Sequence, residues 1–347
     1  MSRKVKIGLT RDCFDSEGKF MMPGPGLKLL DEMPGVEYSM FPDWQPEISP
    51  GQIEGFDMVV SLRPRWAKQS FSGNNQLLCV HRTGVGYDMV DVPALTEANV
   101  MLTITPDAVR RPVAVAILTF ILALSTRLFT KDRMAREGRW AEKAHYHGYG
   151  LVGQTLGSIG VGNIGRDMFM LAKPLGMRHI AYDPYVKPEA VAEAGVELVD
   201  MDTVLTESDY VNISCLLNKS TYHLVGEKEL RKMKKTAFLI NTARGAIIDE
   251  AALVKVLKEG RIRGAGIDAF EQEPTPDDNP LLKMDNVIVA PHALAWTDQM
   301  FLVQWEQIMN QLSQIIRGER PEALVNKDVW DKPGFQAKLK TFLASIR

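Results

Sequence analysis

The sequence predicts an α/β protein built from two doubly wound parallel-sheet domains, one inserted into the other. Short apolar runs of strand character recur along the chain with helical stretches between them, the pattern of parallel sheets wound on both faces by helices. At 347 residues the chain can bury about two cores. A long apolar stretch near the middle and an amphipathic one after Pro291 mark where the chain leaves one half and returns to it.

The first half carries strand-like runs at residues 5–10, 36–41, 58–62, 77–81 and 101–104. A helical pattern then covers 108–136, followed by a polar stretch holding Gly138, Trp140, His145, His147, Gly148 and Gly150. The second half carries strand-like runs at 155–161, 179–183, 210–215, 237–242, 264–268 and 286–290. A long amphipathic pattern at 297–316 follows, with Thr297 placed as its N-cap. The expected boundaries are 1–110 plus 296–347 for the outer domain and 111–295 for the inserted one. There is no internal repeat, and the polar tail from Pro321 onward has no readable role.

Bulk properties exclude some functions. A net charge of −2 offers no electrostatic case for nucleic acid or an anionic membrane as partner. Three widely spaced cysteines (Cys13, Cys79, Cys215) do not form a disulfide framework and suit a reducing cytoplasm. The start runs directly into a strand pattern, so no signal peptide is expected. The apolar run 113–124 falls short of the ~20 residues that cross a bilayer and reads as a buried interdomain helix.

The strand at 155–161 runs into Gly160-x-Gly162-x-x-Gly165, and a further apolar run ends in Asp183, eighteen residues past the last glycine. Gly160 permits a tight turn, Gly162 lets backbone approach a pyrophosphate, and Gly165 lets the next helix pack closely on the strand. Amides at that helix start then face phosphate. Asp183 accepts hydrogen bonds from the adenosine ribose and repels a 2′-phosphate, so the expected cofactor is NAD rather than NADP.

Three later strands end in Asn241-Thr-Ala-Arg244-Gly245, in Asp268-Ala-Phe-Glu-Gln-Glu273-Pro274, and in Pro291-His292. Ligands of open α/β sheets sit at the carboxyl ends of strands, so these side chains should converge on the cofactor. Reduction of a 2-keto acid needs such a set. A guanidinium holds carboxylate and carbonyl in a fixed fork. An imidazolium delivers a proton, and a neighbouring carboxylate orients the ring and favours its charged form. Singly, Arg244 reads as a surface ion pair, Glu273-Pro274 as a loop and Pro291-His292 as a turn; their order after the nucleotide turn carries the argument.

With these segments the chain, over roughly residues 55–325, resembles the NAD-dependent D-2-hydroxyacid dehydrogenases, the family of glycerate, glyoxylate/hydroxypyruvate, phosphoglycerate and D-lactate dehydrogenases. The resemblance also rests on residues 151–157, before the turn, and on Asp249-Glu250. It implies a Rossmann NAD-binding domain inserted in a flavodoxin-like substrate domain. It further implies that Arg244 binds substrate, that His292 is proton donor and acceptor, and that Glu273 pairs with His292. Asp268 would contact the carboxamide side of the nicotinamide. Asn163, Ile164, Cys215, Thr242, Ala243 and the stretch His292 to Ala295 would touch the cofactor. Gly84, Val85 and Gly86, in a loop resembling the family's carboxylate-binding segment, would offer backbone amides to the substrate anion. A homodimer and closure of the two domains over substrate are implied as well, with hinges near 105–111 and 290–297.

The chain departs from the family pattern at 105–115, where Val115 replaces a usual glutamate, and at Leu216-Leu217-Asn218, where Pro-Leu-Thr is usual. Arg63/Arg65 and Arg110/Arg111 suggest a substrate with a second acidic group, Arg65 reaching the cleft; the alternative is ordinary surface pairing. Trp296 either walls the substrate pocket or packs under the returning helix. His145 and His147 lack ligand partners nearby, so no metal site is expected. Two rivals remain: a phosphite-type dehydrogenase, and a non-catalytic NAD(H)-sensing protein like the corepressors that share the fold. A formate-type enzyme is disfavoured because it carries glutamine at the Glu273 position.

Overall fold

The computed structural model describes residues 3–73 and 75–346. The chain divides into two compact units: residues up to Val109 together with those from Thr297 onward, and the unit Arg110–Trp296.

The first unit holds strands β1 (Val5–Leu9), β2 (Val36–Met40), β3 (Met58–Ser61), β4 (Cys79–Arg82) and β5 (Met101–Thr103). They pair in parallel in the order β2-β1-β3-β4-β5, the flavodoxin-like arrangement. Every residue of β3 is buried, which is why it reads as a continuous apolar run rather than an alternating one. The returning helix Asp298–Arg317 is capped by Thr297, whose Oγ1 accepts from the Met300 amide at 3.1 Å. It buries Met300, Phe301, Trp305, Ile308, Leu312 and Ile315, one stripe at helical spacing. A Cβ on Gly26 would fall 2.1 Å from the Trp305 ring, so only glycine lets the indole seat.

The tail has a structural role that its polar composition conceals. Leu324 bridges Thr103 on the outer strand β5, and Val325 N–H donates to the Leu102 carbonyl at 2.9 Å. The Asn326 side chain accepts from the Leu102 amide and donates to the Val100 carbonyl, each at 2.9 Å. The segment covers a strand edge that would otherwise expose unpaired backbone. Helix Pro333–Ile346 then buries Phe335, Leu339 and Phe342, and Lys338 Nζ donates to the carbonyls of Leu77, Ala98 and Asn99.

The second unit holds β6 (Thr155–Ile159), β7 (Arg178–Tyr182), β8 (Val196–Leu198), β9 (Tyr210–Ile213), β10 (Phe238–Asn241), β11 (Gly264–Ile267) and β12 (Val287–Val289). The order β12-β11-β10-β9-β6-β7-β8, all parallel, is the Rossmann arrangement extended by one strand, with the order reversing between β6 and β9. Strand β8 is not readable in the sequence, because three residues reading Val-Glu-Leu leave no period to detect.

The helical pattern expected at 108–136 is two helices, Pro106–Thr126 and Leu128–Arg136, broken at Arg127 with φ +56°. Ser125 and Thr126 turn their hydroxyls back onto the Leu122 carbonyl, competing with the helical ladder. The Ser125 carbonyl instead accepts from the Tyr149 amide at 2.7 Å. The first helix is 21 residues long, longer than its apolar core suggests, and long and apolar enough by composition to cross a membrane. Half of its most apolar window is buried: Ala114, Ile117, Phe120, Ile121 and Leu124 pack with Leu156 of β6 and Ile240 of β10.

Candidate active site

The glycine turn follows β6. Gly160 has φ +91°, and a Cβ there would lie 2.6 Å from the Cys215 nitrogen, so the turn passes backbone to backbone over the exit of β9. Gly162 precedes helix Asn163–Ala172, and a Cβ on it meets nothing within 4 Å, leaving its face open to a diphosphate. A Cβ on Gly165 would lie 3.2 Å from the Gly160 carbonyl oxygen, the close helix-to-strand packing that its position in the motif requires. Asp183, at the end of β7, accepts from the Val161 amide through Oδ2 and from the Tyr185 amide through Oδ1, each at 3.0 Å. Each carboxylate oxygen keeps acceptor capacity for a ribose hydroxyl. These residues fit the adenosine diphosphate half of a dinucleotide. Cys215 is partly buried beside this turn, and burial pushes its thiol up to about 11, with the Asp183 charge adding to the effect.

After β10 the chain turns through Thr242, Ala243 and Arg244. The buried Asn241 side chain shapes that turn, accepting from the Ala243 amide and donating to the Arg244 carbonyl, both at 3.0 Å. Gly245 is decisive here. A Cβ on it would lie 1.9 Å from the Phe270 carbonyl carbon, so the arginine loop and the segment carrying Glu273 are in backbone contact. Asn241 and Gly245 are placement residues that the motif reading alone does not single out.

Asp268, buried at the end of β11, ties down the next loop. Its Oδ1 accepts from the Ala293 and Leu294 amides at 3.0 and 3.2 Å, and its carbonyl accepts from the His292 amide at 2.9 Å. Burial raises this carboxyl above its ordinary value, against the opposing pull of those amides and of His292. Ala295 is buried in the same loop, and Trp296 is about half exposed with its amide donating to the Ala293 carbonyl.

His292 sits in left-handed backbone, φ +54°, an uncommon state for a side-chain-bearing residue and one that aims its ring. Its Nδ1 lies 2.8 Å from Glu273 Oε2 and 3.0 Å from Oε1. Among the described residues Nε2 has no hydrogen-bond partner, so the second nitrogen points away from the pair. Glu273 also accepts from the Phe270 amide at 3.0 Å. Burial works to raise its carboxyl, but the His292 hydrogen bond and charge, the Phe270 amide and the Arg244 charge together hold it below the ordinary range. The three strand ends thus unite an oriented imidazole, an ionised carboxylate and, through the arginine charge felt at Glu273, a guanidinium. A second pair, His223 Nε2 to Glu271 Oε1 at 2.7 Å, flanks them; nothing in the sequence spacing distinguishes it from chance.

The remaining candidates lie in the first unit. Gly84 (φ +115°) is the second residue after β4, and its amide donates to Thr105 Oγ1 at 2.7 Å. The Val85 and Gly86 amides have no protein acceptor among the described residues. Arg65 is mostly exposed, with Nε 3.6 Å from Glu47, and Arg63 Nε is 3.5 Å from the buried Asp12. Arg111 Nε pairs with Asp167 at 2.9 Å within the second unit.

Known proteins are similar to this chain in sequence and in fold. Residues 118–293 match the model of the NAD-binding domain of the D-isomer-specific 2-hydroxyacid dehydrogenases. A glyoxylate reductase of Korarchaeum cryptofilum is 39% identical over 307 residues, 84% of this chain and 92% of that one. The glyoxylate reductase of Thermococcus litoralis is 37% identical over 334 residues, 94% of this chain and 98% of its own. The crystal structure of a glyoxylate reductase from Paecilomyes thermophila superposes with a TM-score of 0.80 at 28% identity, covering 93% of this chain and 99% of that one. The sheet orders, the dinucleotide turn and these relatives lead to one assignment: the chain belongs to the D-isomer-specific 2-hydroxyacid dehydrogenase family and is an NAD(H)-dependent oxidoreductase that interconverts 2-hydroxy and 2-keto acids.

Proposed function

We propose that the enzyme reduces a small 2-keto acid, glyoxylate or hydroxypyruvate, with His292, Glu273 and Arg244 as its catalytic residues. The observation that carries this reading is the His292–Glu273 pair, one ring nitrogen held at 2.8 Å and the other presented outward at the sheet's carboxyl edge. NADH, when bound, supplies the hydride that the carbonyl carbon receives. Arg244 fixes the carboxylate and polarises the carbonyl. His292 Nε2 gives its proton to the keto oxygen, and Glu273 keeps the ring oriented and offsets the imidazolium charge; oxidation runs the same proton in reverse. In the first unit, the Val85 and Gly86 amides form the carboxylate nest.

The small-substrate reading is supported by the arginines as well as by the relatives' names. Arg63 and Arg65 each have a carboxylate nearby, Asp12 at 3.5 Å and Glu47 at 3.6 Å, which competes with a second substrate anion. Trp296 walls the pocket in this reading. The enzyme works as a homodimer, the exposed Val115, Leu122, Leu128, Phe129 and Trp140 of the second unit giving it an apolar face. Its free cysteines suit the cytoplasm. NADH oxidation measured against glyoxylate, hydroxypyruvate, pyruvate, phosphohydroxypyruvate and 2-oxoglutarate, with NADPH in parallel, tests the proposal. Preference for the first two supports it; preference for the phosphorylated or dicarboxylic acids returns Arg63 and Arg65 to the substrate site. Tight NADH binding without turnover would instead identify an NAD(H) sensor.

A further inference from the structure

Thr105, at the edge of the expected hinge, is fully buried and spends its side chain on the backbone of one residue, Gly84. Its Oγ1 accepts the Gly84 amide at 2.7 Å, while its own amide donates to the Gly84 carbonyl at 2.9 Å. Both polar groups of the Gly84 backbone are therefore clasped by one residue twenty-one positions later. Gly84 needs this restraint because glycine at φ +115° has little intrinsic preference for staying there. Thr105 is itself restrained: the following Pro106 bars it from helical backbone, and 1% exposure leaves its hydroxyl no water to turn to. One strand away, Thr83 makes the analogous anchor, its amide and hydroxyl both donating to the Ser61 carbonyl.

The consequence falls on the next two residues. With the Gly84 amide consumed, Val85 and Gly86 are the donors left to an anion, and the direction of those donors is set by the peptide that Thr105 holds. We infer that Thr105 is a positioning residue, which sets the affinity for the substrate carboxylate by fixing the amides of Val85 and Gly86. The inference rests on the carboxylate nest proposed above.

Three variants test it. In Thr105→Val the shape is kept and the acceptor is lost, leaving a buried amide unpaired. KM for the 2-keto acid and Ki for oxamate, an unreactive carboxylate analogue, should rise about ten- to hundredfold, with kcat and NADH affinity little changed. Thr105→Ser, which keeps the oxygen, should restore both constants. A merely structural role predicts otherwise: kcat, NADH affinity and thermal midpoint would move together with KM, and serine, lacking the buried methyl, would not rescue. Either that pattern or an unchanged KM in Thr105→Val overturns the inference. Val85→Pro removes one nest amide directly and separates the two levels. If it weakens oxamate while Thr105→Val does not, the nest stands and the positioning role fails. If neither variant weakens oxamate, the nest itself is wrong.

Discussion

The Val161 amide donates to Asp183 Oδ2 at 3.0 Å, so the acid expected to read the ribose is also the clasp of the glycine turn. Sequence spacing assigns Asp183 a single task, selection against a 2′-phosphate. The structure gives it a second, holding the backbone between Gly160 and Gly162 in place. Asp183→Ala should therefore do more than relax selectivity. NADH affinity should fall by about tenfold or more, as for loss of charge-assisted hydrogen bonds, while NADPH affinity changes less or improves. Fluorescence titration with both cofactors checks this. Loss of selectivity with NADH affinity intact would mean that the turn holds without the clasp.

Gly162 and Gly245 sit in loops at the same sheet edge but answer to different neighbours. A methyl on Gly162 enters open space, so Gly162→Ala should unfold at the wild-type temperature yet bind NADH poorly. A methyl on Gly245 would lie 1.9 Å from the Phe270 carbonyl carbon and must push the arginine loop off the segment carrying Glu273. Gly245→Ala should lower the thermal midpoint and cut kcat/KM, since displacing Arg244 and Glu273 by even a fraction of an ångström spoils a positioned reaction. Calorimetry and steady-state kinetics on the pair suffice; equal stability losses in both would refute the contrast.

Glu273 links activity to acid stability. Its carboxyl lies below the ordinary range in the folded protein, so the unfolded chain takes up the proton first as pH falls. The stabilisation is then fully present above the unfolded value of about 4.5 and is lost as pH drops through the folded one. Glu273→Gln should be less stable than wild type at pH 7, with the gap closing below that value in urea titrations. Its kcat should fall by part of the 10²–10⁴ that positioned proton transfer typically contributes, and NADH affinity should hold. A Glu273→Gln enzyme with wild-type kcat would remove Glu273 from the catalytic set.

What was legible in the chain follows physical locality. The glycine turn, Asp183 and the strand-end positions of Arg244, Glu273 and His292 can be placed from spacing, because each lies in residues adjacent in sequence or at a strand terminus. The Arg127 break cannot be, since left-handed arginine has no compositional mark and the apolar pattern runs straight through it. Thr105 on Gly84, Gly245 on Phe270 and Asn326 on Leu102 are contacts between distant segments, decided by packing. Of the candidate site, the chemical groups are legible in the sequence, while the residues that aim them act through packing between distant segments.

His81 provides the last test, in the first unit. The ring is fully buried on β4, with Nδ1 2.7 Å from Thr103 Oγ1 and 3.2 Å from Gln311 Oε1, a hydrogen bond that joins the strand before the Gly84 loop to the returning helix. Burial drives its proton affinity down to about 4, with the Gln311 hydrogen bond opposing only weakly. Unfolded, the ring titrates near 6.5, so between those values the unfolded chain holds a proton that the folded one refuses. Stability from this residue is complete above pH 6.5 and declines as pH falls toward 4, by up to about 3 kcal/mol. His81→Asn removes the titration. Its unfolding free energy should be lower than wild type at pH 7 but flatter across the acid range, so the two curves converge near pH 4. Parallel curves would show that the ring is protonated, or reached by water, in the native protein.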